Sequence, residues 1–133
     1  IIAGYAAANK RDIGKERDLI DLCLTLTVKP DACNNFNLVL VLYYASRNTD
    51  YRRSDIYEFC LNTISRYRCH YWPESKGFSF YIGRSNQRYY GARLTRGLPE
   101  PDIHGTHLYL WGIVLIARLL ELPIGGKLRP PVT

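Results

Sequence analysis

"PDIHGTHLYLWGIVLIA", residues 101–117, decides the fold. A Pro and an Asp precede a long run that is apolar nearly all round. Pro101 biases the chain to turn, Asp102 suits a helix N-cap, and an all-round apolar helix is a buried one. The stretch "PDACNNFNLVLVLYYA", residues 30–45, follows the same scheme: Pro, Asp, one residue, then Cys or His, a short polar turn and an apolar helix. Pro30 and Pro101 stand 71 residues apart. A weak internal repeat at that offset points to helical hairpins of a repeat architecture.

Outward from these two helices, period-3.6 patterning predicts two more. One covers roughly Lys15 to Thr27, with Leu19, Ile20, Cys23 and Leu24 on one face, and Pro30 stops it. The other covers roughly Arg53 to Tyr71, with Ile56, Phe59, Cys60, Ile64 and Tyr67 as its stripe; Asp55 and Glu58 in its first turn suit the helix dipole. The repeat helices themselves run roughly from Ala32 to Ser46 and from Ile103 to Leu122, where Pro123 ends the last. Buried and amphipathic helices therefore alternate. The expected fold class is all-α: stacked helical hairpins, the second and fourth helices inner, the first and third outer. About thirty residues separate the last two helices, and loops of such length are usually functional or disordered. This one carries Phe78, Phe80, Tyr81, Tyr89, Tyr90 and several Gly, which predicts an ordered segment packed on the domain. The tail, residues 123–133, has no pattern and is expected to be loose.

A length of 133 residues predicts one domain. The sequence contains no Met, and "IIAGYAAAN" at its start reads as the end of a helix or the tail of a signal peptide. Both readings predict a single partial domain, cut from a longer protein and lacking other hairpins. The net charge is +6, but Lys and Arg are scattered with no run above two, so no nucleic-acid partner is expected. Cys23, Cys33, Cys60 and Cys69 form no CxxC pair, which fits reduced thiols in the cytoplasm. The strongest apolar run, Leu108 to Ala117, is about ten residues against the roughly twenty a bilayer needs, so no transmembrane segment is expected.

Three pieces resemble the α/α-toroid of the terpene cyclase and protein prenyltransferase superfamily, namely its last two hairpins. "DAC" (31–33) opens an inner helix. "KGFSFYIGR" (76–84) looks like the Gly-aromatic turn after an outer helix. "DIHGTHLYLWGI" (102–113) is similar to the Asp-x-x-His-Thr segment of prenyltransferase β subunits. The resemblance covers roughly residues 31–122. It implies a central aromatic cavity that accepts isoprenoid chains and, in the prenyltransferases, a zinc held by an Asp-x-Cys pair and a later His. Asp31 and Cys33 match that pair. In the family the His stands three residues after the Asp, where Gly105 stands here; His104 is one earlier, a 100° rotation on a helix.

Two readings of these residues stand side by side. Asp31, Cys33 and His104 supply the three ligands of a catalytic zinc. Equally, Asp31 and Asp102 are helix caps, Cys33 is a small buried side chain, and no cofactor is needed. At the cavity rim the candidate ligand-binding residues are Asp102, His104 and His107, with Tyr109 and Trp111 as cavity aromatics and Arg93 and Arg96 as an anion site for a diphosphate. His70 closes the third helix, where a cation is favourable. The expected partner is a hydrophobic small molecule, an isoprenoid or related lipid. The alternative is a non-catalytic or carbohydrate-handling α/α-barrel, since one architecture hosts unrelated chemistries.

Overall fold

The structure is a computed structural model that describes residues 14–123. Its helices are α1 (Glu16–Thr25), α2 (Ala32–Ala45), α3 (Arg53–Tyr67) and α4 (Ile103–Leu119). A 3-10 turn, Arg68–His70, continues α3. Four short strands follow it: β1 (Tyr71–Trp72), β2 (Gly77–Phe78), β3 (Arg88–Tyr89) and β4 (Ala92–Arg93).

The all-α expectation is therefore wrong. The protein is mixed α/β, with two small antiparallel sheets, and the described residues form no closed ring of hairpins. In the first sheet Tyr71 pairs with Phe78 and Trp72 with Gly77; in the second Arg88 pairs with Arg93 and Tyr89 with Ala92. The sequence hid them for a physical reason. A two-residue strand is too short for apolar alternation to register. The β3–β4 turn was visible only as a Gly: Tyr90 (φ 47°) and Gly91 (φ 83°) both take left-handed backbone, as a tight two-residue hairpin requires. The tail at 124–133 and the apolar start at 1–13 lie outside the described residues.

The two repeat helices lie side by side and parallel. Near their starts Cys33 faces His104; one turn further along α2 and two turns further along α4, the rings of Phe36 and Trp111 are 4.7 Å apart. Val39, Leu42, Leu115 and Ile116 fill the buried side of this seam, and Ile56 and Cys60 of α3 close over it. Among the described residues no helix is long and apolar enough to cross a membrane.

The segment after α3 ties the two helix starts together. Phe78 O accepts from Asp102 N (3.0 Å), and Phe80 O accepts from Ala32 N (2.9 Å). Thr106 Oγ1 accepts from Phe78 N and donates to Phe78 O. Residues 78–80 thus run across both N-termini and set them level.

His70, expected as a cation at the end of the third helix, is buried and holds the root of this segment. It is 1% exposed, its Nδ1 lies 3.1 Å from Ser79 O, and its ring packs on Tyr109. Burial lowers its pKa below 6.5. The unfolded chain therefore binds a proton more readily, and stability must fall as the pH drops below about 6.5. Urea unfolding at pH 7.5 and 5.5 should show a lower midpoint in acid, with a smaller difference in His70→Gln. Equal slopes in the two proteins would remove His70 from this account.

Candidate functional site: a cysteine–histidine–asparagine cluster

The site is built at the paired starts of α2 and α4. Each helix is capped by its Asp. Asp31 Oδ1 accepts from Asn34 N (2.9 Å), and Asp102 Oδ1 accepts from Gly105 N (2.8 Å). The two caps have nearly the same backbone, φ −123° and ψ 163° against φ −136° and ψ 159°. The 71-residue offset seen in the sequence is thus a structural repeat, and it brings equivalent positions face to face.

Two residues past each cap stand Cys33 and His104. The Cys33 Sγ and His104 Nε2 are 3.9 Å apart, a hydrogen-bond distance for sulfur. On the far side of the ring, Asn86 Nδ2 lies 3.3 Å from His104 Nδ1. The Asn86 backbone is itself fixed, because its N–H donates to Asp102 Oδ2 at 3.1 Å. Phe80 and Tyr89 flank the imidazole, with ring centroids at 4.8 Å and 4.7 Å. Cys33 and His104 are both half-buried. Burial, with the charge of Asp31, pushes the Cys33 thiol up. Burial pushes the His104 imidazole down. The pair therefore rests as neutral thiol and neutral imidazole at pH 7.

The other expected site residues fall in different places. Asp102 is buried and serves as a backbone anchor. Tyr109 is fully buried, packed between Tyr67, His70 and Phe78. His107 is exposed, its ring 5.7 Å from that of half-buried Trp111. Arg93 and Arg96 are both exposed in the second hairpin and the loop after it. Two grooves, of about 470 Å³ and about 390 Å³, open beside α1, and none of these residues lines them.

The zinc set does not fit. Cys33 and His104 meet, but Asp31 turns both oxygens to Asn34, accepting from its N and from its Nδ2 at 2.7 Å. Among the described residues no three His, Cys, Asp or Glu side chains converge on one point. A His at position 105, where the prenyltransferase pattern has one, is also excluded by packing. A Cβ there would stand 2.4 Å from Phe80 N.

Asn86 is the member that sequence reasoning missed. Its neighbours "RSNQR" carry no spacing signal, and only the Asp102 carboxylate 16 residues away brings it in.

No protein family, curated protein or solved structure matches the chain. The assignment of the site rests on its own atoms.

Proposed function

We propose that the protein binds an apolar small molecule, an isoprenoid or related lipid, along the outward side of the α2–α4 pair. The observation that carries this reading is the surface of α4. Its Gly105, Tyr109, Gly112 and Ile116 face α3 and the crossing segment. Half a turn round, Ile103 (84% exposed) and Leu110 (52% exposed) stand in solvent, with Val114 and Trp111 half-covered beside them. On α2, a helix without one charged residue, Leu40 and Tyr44 are also half-buried. The apolar side chains of α4 share one side of the helix with the exposed His107, and apolar groups gathered on a solvent-facing side suit an interaction site. The Cys33–His104–Asn86 cluster supplies a polar end for the ligand, as apolar sites usually have. The four cysteines are free, and the cytoplasmic assignment rests on them.

The test uses Trp111 as reporter. In Trp72→Phe it is the sole tryptophan. Titration with farnesol should give a saturable change in its emission. Leu110→Asp in the same background places a charge on the patch and should weaken binding at least about tenfold. No saturable change, or equal binding by Leu110→Asp, would defeat the reading.

A further inference from the structure

We propose that Cys33, His104 and Asn86 form a nucleophilic thiol site that accepts an acyl group from an acyl thioester. A nucleophile needs a base within reach and a third group that orients the base. Here Sγ and Nε2 are 3.9 Å apart, and Asn86 holds the opposite ring nitrogen. The Asn86 amide serves either tautomer. Its Nδ2–H donates to a bare Nδ1, or, turned over, its Oδ1 accepts from Nδ1–H and leaves the Nε2 lone pair facing the thiol. The second arrangement is the reactive one, and the neutral imidazole is the form it requires.

The start of α2 provides a further element. The first amides of a helix have no partner within it. Ala32 N donates to Phe80 O, Asn34 N to Asp31 Oδ1 and Asn35 N to Asp31 O. Among the described residues nothing accepts from the N–H of Cys33. That N–H adjoins the sulfur and is the donor available to an oxyanion forming on a carbonyl attacked by Sγ.

The step balances without a redox partner. Sγ attacks the thioester carbonyl while Nε2 takes the thiol proton. The bond from the carbonyl carbon to the leaving sulfur breaks, and the leaving thiolate receives that proton from His104. The products are a Cys33 thioester and a free thiol. Asn86 is a positioning residue in this scheme.

The other cysteines supply internal controls. Cys69 is exposed and has no such neighbours among the described residues, whereas burial pushes Cys23 up to about 11 and Cys60 up to about 12. The full chain is incubated with the octanoyl and the acetyl thioesters of N-acetylcysteamine. Acylation is followed at each cysteine by peptide mass spectrometry, with reversal by hydroxylamine. Cys33 should react at least about tenfold faster than exposed Cys69, since a placed general base contributes about 10² or more. His104→Gln should bring Cys33 down to the Cys69 rate. Asn86→Ala should slow it, and Asn86→Asp, which keeps an acceptor for Nδ1–H, should restore it. Circular dichroism checks the fold of each variant. Faster reaction at Cys69 in the wild type overturns the proposal with no variant needed, as does an unchanged rate in folded His104→Gln. Equal rates at Cys33 with both acyl chains support the thiol site and count against the apolar-ligand reading. Farnesol binding without Cys33 acylation does the reverse.

Discussion

Gly105→Ala should destabilise the protein by about 3 kcal/mol, a loss on the order of 10 °C in Tm. The usual expectation for this change has the opposite sign. Alanine inside a helix is favoured over glycine by about 1 kcal/mol. Packing reverses the outcome, because residues 78–80 cross α4 directly over this position. An alanine Cβ would meet Phe80 N at 2.4 Å, Ser79 C at 2.6 Å and Phe80 Cα at 2.9 Å. All three are backbone atoms, so no side chain can rotate aside. The crossing segment has to lift, and it is pinned on both sides by the bonds from Asp102 N to Phe78 O and from Ala32 N to Phe80 O. Lifting it loosens the register of α2 against α4, and with it the approach of Cys33 to His104. Chemical denaturation of Gly105→Ala checks the magnitude. Asn37→Ala, at an exposed position in α2, is the control and should be neutral or slightly stabilising. A Gly105→Ala protein as stable as the wild type would mean that the segment does not press on the helix.

The same contact explains which parts of the site the sequence could disclose. The helices were legible because each is long enough for a 3.6 period to be counted, and the caps because Asp before an apolar run is a local signal. The meeting of Cys33 with His104 was legible through the repeat: equivalent positions on parallel neighbouring helices must face one another. Orientation of the later residues was harder. Tyr109 and Trp111 both read as cavity aromatics, yet two residues on a helix are 200° apart. Tyr109 went to the core and Trp111 to the half-covered side. His70 misled for a related reason, since the end of an amphipathic helix looks the same whether solvent or a crossing segment covers it. The crossing segment was readable as ordered from its aromatics. Its path was not, because that depends on backbone bonds to residues far away in the chain.

Those bonds set the last expectation, which compares two aspartates with one sequence signature. Asp31→Ala should cost about 1 kcal/mol, the ordinary value of an N-cap. Among the described residues its carboxylate accepts only from Asn34, at a half-buried position. Asp102→Ala should cost on the order of 4 kcal/mol or more. Asp102 is 7% exposed, and its two oxygens accept from three backbone amides: Gly105 N, Phe80 N at 2.8 Å and Asn86 N. Each buried donor left without an acceptor costs about 1–3 kcal/mol. Bonds to a charged acceptor are also about twice as strong as neutral ones. The consequences differ in kind as well as in size. Losing Asp31 frays the first turn of α2. Losing Asp102 releases the crossing segment at Phe80 and the loop at Asn86 together, so the imidazole of His104 loses its orienting group. Urea denaturation of the two variants measures the first difference, and the acylation rate at Cys33 under native conditions measures the second. Equal destabilisation by the two substitutions would show that Asp102 is merely a second cap. The larger loss at Asp102 identifies it as the joint through which one helix start, the crossing segment and the Asn86 loop are assembled.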